Sequence, residues 1–384
     1  MEIISFFIPF FIALLLLIFC KKKIVWWEYI VIIIPTVLMT LVIKITMIES
    51  NCIDTEYYGG YITKVRHYDE WDEWIEKRCT REVAVGRDSE GNTIYEEEEY
   101  DCSYRQYHSQ YWVYYSSISR GEHVINQQQF NAIRQRFNSP MVFVDMHRHF
   151  YRIDGDAQDY MWLNTKSTIR TITEEHEYKN KVKASNSIFN FKEINKKEAE
   201  KLNLFEYPKI MDLDQNPILN HSVFSVSPKE VEDMKYFNGF YGKQKQIRVF
   251  VLLFDSKDEI EKAYDQQSYW KGGNKNELIT CFALDTARTV KWCYSFSWED
   301  DQKMAISTME KYRNGEKLDI SEYADWLIQN VNKWKRKEFK DFGYLRPELK
   351  TWQQYLLFIL TLLFSLGASI FCIMNEYENE DFKK

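Results

Sequence analysis

Glycine and proline are scarce in this chain, 13 and 7 among 384 residues. That scarcity excludes a disordered or linker-rich polypeptide, since both depend on residues that keep a backbone from packing. A basic excess is missing too: 57 acidic side chains against 50 basic ones leave a formal net charge of −7. Without a positive field to attract a polyanion, nucleic acid is excluded as a partner. The sequence also lacks an internal repeat, a low-complexity run and any catalytic signature that stands out.

What it has in quantity is apolar and aromatic side chain, 45% and 16% of residues, and these are unevenly placed. Residues 3–19 carry no charge, Lys21-Lys22-Lys23 follows, and residues 24–45 resume the apolar run with Glu28 near its start; residues 355–374 form a third run. About 18–20 apolar residues suffice to cross a bilayer as a helix, the form that satisfies its own backbone in lipid. Mean hydropathy of the whole is nevertheless negative, so the intervening body, about 300 residues, is polar and large enough for one big or two small cores. The fold class expected is α+β. A transmembrane helical hairpin (1–48) leads into a β-rich soluble lobe (49–173), a helical connector (174–246), an α/β lobe (247–350), a transmembrane helix (351–375) and an acidic tail (376–384).

The first run is not read as a cleaved signal, because no positive charge precedes it and no small-x-small site follows. The lysine cluster in the short loop belongs in the cytoplasm by the positive-inside rule, which puts the body outside. Seven basic residues between Lys333 and Lys350 argue the other way, with less weight because they belong to a large domain. Trp26, Trp27 and Trp352 fall at interfacial depth, and Glu28 and Lys44 are expected to reach the interface. The lipid bilayer is thus one partner; the other is an envelope protein that the sequence does not identify.

Strand-forming residues dominate from Glu56 to Ser117. Thr80 to Val85 and Ile94 to Tyr100 flank the turn cluster Asp88-Ser89-Glu90-Gly91-Asn92, which predicts a hairpin. Counting outward from its centre sets Cys79 opposite Cys102, within disulfide reach, and a disulfide would favour the exterior. Buried free thiols, or a metal site with His67 and His108, are the alternatives. Tyr107, Tyr111 and Trp112 lie in a dense aromatic stretch that serves either cross-strand packing or a sugar- or protein-binding face. Asn126 with Gln129 predicts a helix start, residues 141–153 a strand with His147 and His149 on one face, and Asp154-Gly155-Asp156 with Asp159 a turn with some character of a calcium loop.

Further along, Asn195 with Glu198 and Ser227-Pro228 with Glu230 start helices. Residues 247–254 are almost continuously apolar, as in a strand covered on both faces. Ser256 with Glu259 predicts a helix, ending at Trp270-Lys271-Gly272-Gly273-Asn274-Lys275-Asn276-Glu277. Strands at 278–284 and 290–298 follow, with Cys281 and Cys293 read as core, then a helix opened by Asp300 and Asp301 and a last one from Asp319 with Ile320, Tyr323, Leu327, Val331 and Trp334 as its buried stripe. That order, with Trp270, the Gly272-Gly273 turn and Asn276-Glu277 before an apolar strand, resembles the TPM domain over about residues 247–339. The resemblance implies an α/β module carried outside the membrane, a family associated with upkeep of membrane complexes, calcium binding and weak phosphatase activity. If those properties carry over, Asp255 and Asp285, at the ends of apolar strands, are the acidic candidates and calcium a possible ligand. The phrases Trp270 to Glu277 and Lys291 to Trp298 are also similar to membrane proteins of bacteria and their large phages that have no assigned role. Two functions are therefore weighed: binding or scaffolding at the cell envelope with no catalytic residue, and weak metal-dependent phosphatase activity. A transporter fits poorly, since three spans with hardly any intramembrane charge offer little to line a path.

Overall fold

The computed structural model describes residues 1–20, 24–87, 89–135, 140–146, 155–161, 169–186 and 191–375. Its fold is α+β. Among the described residues three helices are long and apolar enough to cross a bilayer: α1 (Glu2–Phe19), α2 (Trp26–Cys52) and α9 (Thr351–Asn375). All three pack together. Thr40 and Thr361 join hydroxyls across α2 and α9 at 3.0 Å. Both charges near the ends of α2 have partners within the bundle. Glu28 is fully buried and caps α2, accepting the Val25 N–H at 2.6 Å, and Lys44 forms an ion pair with Glu2. That pair sets the start of α1 on the body's side of the bundle.

Helix α2 outruns the apolar segment and passes straight into β1 (Ile53–Tyr68), a strand of 16 residues. In order, β2 (Trp71–Ile75), β3 (Arg78–Arg87), β4 (Thr93–Asp101), β5 (Tyr104–His108), β6 (Tyr111–Ser116), β7 (Glu122–Ile125), α3 (Gln127–Gln135), β8 (Met141–Val144), β9 (Ala157–Met161) and β10 (Thr171–Lys179) complete the front lobe. The first half of β1 pairs with β10 and the second half with β6 and β9, giving the order β7-β6-β1-β9-β8. Ile62, Val65, Ile118, Phe130, Ile133, Tyr160 and Ile172 form the core under α3. That helix starts with the Asn126 and Gln129 side chains each capping the other's backbone N–H.

The hairpin expected around Glu90 is β3–β4, and Cys79 and Cys102 are bonded, with Cα atoms 5.8 Å apart. The register differs from the symmetric count. Cys79 faces Tyr100, because the turn closes on Arg87 and Thr93 and an irregularity between Ala84 and Gly86 shifts the ladder once more. A displacement of two residues keeps side chains on the same face, so the bridge forms diagonally.

After β10 come α4 (Lys196–Lys201), β11 (Ile218–Asn220), α5 (Pro228–Lys245), β12 (Arg248–Asp255), α6 (Glu261–Tyr269), β13 (Glu277–Leu284), β14 (Val290–Ser297), α7 (Lys303–Lys311) and α8 (Ile320–Asn330). The stretch read as a helical connector thus contributes a strand to each lobe, β10 in front and β11 behind. Strands β11, β12 and β13 run parallel and β14 antiparallel. One face packs Val249, Val251, Leu253 and Phe282 under α5, α7 and α8; the other packs Phe250, Leu252, Phe254 and Ile279 against α6 and Phe205. Cys281 faces Tyr294 and Cys293 faces Phe282, an offset of one that puts the two free thiols on opposite faces of the sheet. Helix α6 starts later than the Ser256 box implies, because Asp255 and Asp258 close a turn there. Helix α7 is capped by Glu299, whose carboxylate accepts the N–H groups of Met304 (2.8 Å) and Ala305 (3.2 Å); Asp300 instead holds Lys335 and Lys337, which pull its pKa down to about 2.

Helix α5 joins the lobes by crossing β1 at backbone distance. A Cβ on Gly59 would lie 2.2 Å from the Asn238 carbonyl oxygen, and one on Gly242 would lie 2.6 Å from that of Gly59. Gly59 in an otherwise aromatic strand is required by this crossing, whereas a Cβ on its neighbour Gly60 would meet the Ile118 side chain at 2.1 Å.

Candidate functional site

The turn from Trp270 to Glu277 is where the two lobes meet. Lys271, Gly272 and Gly273 have φ of 53°, 80° and 77°, three left-handed residues in succession, and side chains at the glycines would meet Phe191 and Ile279. Glycine is required here on both counts. The turn is pinned by the Trp270 indole N–H on the Phe205 carbonyl (2.8 Å), by the Asn274 N–H on the Glu277 carboxylate (2.8 Å) and by the Asn276 amide on the Tyr57 carbonyl of β1 (2.8 Å).

Beside this turn lies a cavity of about 620 Å³. Phe191, Tyr207, Tyr269, Trp270 and Trp298 supply its rings, and Asp54, Lys183, Glu193, Glu206 and Lys271 its charges. Asp54 is held by Asn180 (2.8 Å), Lys183 (2.8 Å) and Tyr178 (3.2 Å). Partial burial and the Glu206 carboxylate it donates to, at 2.8 Å, push the Tyr269 phenol up to about 12. It stays a neutral donor at any physiological pH. Rings with a few fixed polar groups are what a small-molecule or peptide site requires.

Next to the cavity, the junction carries buried charge. Glu277 accepts the Tyr207 hydroxyl at 2.5 Å, and burial raises its pKa while Arg248 opposes that rise. Burial lowers the pKa of Arg248, and Glu277 works against that. On β1, the fully buried Glu56 takes Arg336 (2.9 Å), His176 (2.9 Å), Tyr58 (2.8 Å) and Lys275 (3.3 Å). The sequence did not mark these residues as a cluster. One signal was there: Arg248 and Glu277 each begin an otherwise apolar strand, and the parallel register places them side by side.

The residues singled out from sequence fare differently. Asp255 and Asp285 do come to one edge of the sheet, since Asp255 is in register with Leu284. Both shape turns there: Asp255 accepts the Lys257 N–H at 2.9 Å, and Asp285 accepts those of Ala287 (2.9 Å) and Thr289 (2.8 Å), which hold its carboxyl below the usual range. Tyr111 stacks on Tyr68 at 4.4 Å and Trp112 on His67 at 5.3 Å, both as packing, whereas Tyr107 is exposed and donates to Glu70 at 2.6 Å. Asp159, from the loop with calcium character, accepts Arg66 at 2.5 and 2.9 Å and Lys64 at 3.1 Å, so its charge is already matched. Asp154, His147 and His149 lie outside the described residues. Among the described residues no three His, Cys, Asp or Glu side chains gather as a metal group. The disulfide removes Cys79 and Cys102 from the metal alternative.

Comparison of the chain with protein-family models, with curated proteins and with solved structures finds no match in any of the three. Fold and site therefore define a class only: an α+β body with three apolar helices suited to anchor it in a bilayer.

Proposed function

We propose that this chain is a binding protein of the cell envelope, anchored in the membrane with its body outside the cytoplasm, and that it takes a ligand or a segment of an envelope partner into the cavity between its lobes. The cavity carries the proposal: five aromatic rings and a few fixed charges around about 620 Å³ are poised for contact. The exterior placement is supported by the Cys79–Cys102 bond, which persists in oxidising compartments, and by Lys21 to Lys23 in the short loop. Much of the opposing basic stretch is neutralised locally, Lys335 and Lys337 on Asp300, Arg336 on Glu56 and Lys340 on Glu338. Membership of the TPM family for the back lobe is part of the same proposal, supported by the order of β12, α6, β13, β14, α7 and α8.

The test uses a photo-reactive residue at exposed Lys271, on the cavity wall, in intact cells. It should give a discrete adduct that the same probe at Glu310, on α7, does not; identical patterns from both positions defeat the proposal. A cysteine introduced at Glu90 should be labelled without lysis, and labelling only after lysis would reverse the orientation. A second function, weak phosphoester hydrolysis, has one observation in its favour: Asp255 and Asp285 share the C-terminal edge of a parallel pair, where α/β sheets bind ligands. Full-length protein should then hydrolyse a generic phosphoester, and Asp255→Asn or Asp285→Asn should abolish it. Turnover unchanged in both variants excludes the two residues.

A further inference from the structure

A second concavity, about 860 Å³, is lined in part by the segment Tyr178 to Lys181, which bonds to the last turn of α2. Six basic side chains line it: Lys179, Lys181, Lys245, Lys275, Arg336 and Lys340. Against them stand three acids, Glu338 in the wall, Glu49 on Lys179, and Glu56 on Lys275 and Arg336. The remainder is an excess of three positive charges in a chain whose net charge is −7. Lys181 and Lys245 are bonded to neutral oxygens, the Gly343 carbonyl (2.7 Å) and the Asn332 amide (2.7 Å).

Bonds to the ends of the apolar helices fix the depth of this groove. The Asn180 N–H donates to the carbonyl of Cys52, the last residue of α2, at 2.7 Å, and Lys179 pairs with Glu49 in the same final turn. The Glu348 N–H donates to the Ala184 carbonyl at 2.7 Å, and Gln353 in the first turn of α9 exchanges bonds with Asn51. Hydrocarbon is about 30 Å thick, about 20 helical residues. Counted from Trp26, that thickness ends near Ile45, so Glu49 to Cys52 stand roughly 6–10 Å beyond it, in the headgroup layer. Lys179 and Lys181 are held at that level. Phe339 and Tyr178 give the same groove an apolar wall, their rings 5.2 Å apart.

We propose that this groove binds the phosphate of an anionic phospholipid headgroup from the membrane in which the chain is anchored. A soluble phosphate ester offers the same charge; the depth and the apolar wall favour the lipid.

The test is lipid titration of the full-length protein in neutral detergent, read by native mass spectrometry, with phosphatidylglycerol against phosphatidylcholine of the same chains. A basic side chain near an anionic surface is worth about fivefold in affinity, so three excess charges predict a preference on the order of a hundredfold. Lys181→Gln with Lys245→Gln, which leaves no acid unpaired, should remove most of it; Lys229→Gln, at the opposite end of α5, should leave it intact. Raising salt should weaken the preference in the unaltered protein, an arm that needs no variant to fold. Equal binding of the two lipids, a preference that survives the double substitution or high salt, or displacement of phosphatidylglycerol by an equal concentration of glycerol 3-phosphate would each overturn the proposal.

Discussion

Reducing the Cys79–Cys102 bond should free one part of the protein and leave the rest intact. Nearly every residue of β3 and β4 is exposed on both faces, and the cross-strand ion pairs Arg81–Glu98 and Arg78–Glu99 lie in solvent. A lone two-stranded ribbon is marginal in water, and surface ion pairs add little. The bridge is therefore what keeps this arm formed. Closing a loop across a sequence separation of 23 lowers the entropy of the open arm by an amount worth about 3.4 kcal/mol, roughly 300-fold in the open population. The assay is limited trypsin digestion of the full-length protein with and without reductant, following cleavage after Arg81 and Arg87 by mass spectrometry. Cleavage by a protease tracks the open population when closing is fast, so reduction, or Cys79→Ser with Cys102→Ser, should speed it by up to that factor. The melting temperature of the body should move by less than about 2 °C, since the arm buries almost nothing. Unchanged cleavage, or a fall in the body's melting temperature beyond about 5 °C, would show that the arm is held by, or supports, something other than its bridge.

Gly59→Ala forces a Cβ against a backbone oxygen 2.2 Å away and should destabilise the body by about 3 kcal/mol or more, whereas Gly86→Ala, with nothing within 4 Å, should stay within about 0.5 kcal/mol; equal denaturation midpoints for the two would refute the backbone crossing. Glu56→Gln leaves Arg336 and Lys275 without their counter-charge and should lower stability by about 3 kcal/mol in a denaturant titration, an unchanged midpoint being the contrary result. Burial pushes the Asp159 carboxyl up, but Arg66 and Lys64 outweigh it and hold the pKa below the usual value. Its stabilising contribution is thus complete above the unfolded pKa of about 4 and lost as pH falls through the lower folded value. Amides of β9 should exchange faster below about pH 4, corrected for intrinsic rates, and constant protection down to about pH 2 would contradict this.

Much of the architecture was legible because it depends on local pattern. Three apolar runs gave three helices, Asn126, Asn195 and Ser227 cap where side-chain spacing said they would, the last amphipathic helix starts at Asp319 as expected, and the run at 247–254 is a strand buried on both faces. Two expected helix starts, at Ser256 and at Asp300, failed because neighbouring side chains took the local bonds, and register failed as well. Symmetric counting about a turn misplaced the partner of Cys79 by two residues and that of Cys281 by one. The features responsible, a turn closing on Arg87 and Thr93 and an irregularity between Ala84 and Gly86 in the first hairpin and one between Ala283 and Leu284 in the second, leave no mark in composition. The charged junction was hidden for a different reason. Glu56, Arg248, Lys275, Glu277 and Arg336 come from β1, β12, the turn after α6, the start of β13 and the chain beyond α8, and only the tertiary fold brings them together.

The join between α2 and β1 links anchor to body more tightly than a linker could. The helix ends at Cys52 and the strand starts at Ile53, so no flexible residue separates the lipid-spanning segment from the central strand of the front sheet. Strand β1 is in turn crossed by α5 at backbone contact and tied by Glu56 to Arg336, while Asn51 and Gln353 lock the third helix to the second. The body is tied to the helix ends themselves by the Asn180 N–H on the Cys52 carbonyl, by Lys179 on Glu49 and by the Glu348 N–H on the Ala184 carbonyl, contacts that restrict its rotation about the α2–β1 join. The basic groove and the aromatic cavity share the Tyr178 to Lys183 segment, Tyr178, Lys179 and Lys181 lining the first and Asn180, Val182 and Lys183 the second. Within that stretch the bonds alternate: Lys181 donates to the Gly343 carbonyl on the groove side, while Asn180 and Lys183 hold Asp54 in the cavity wall.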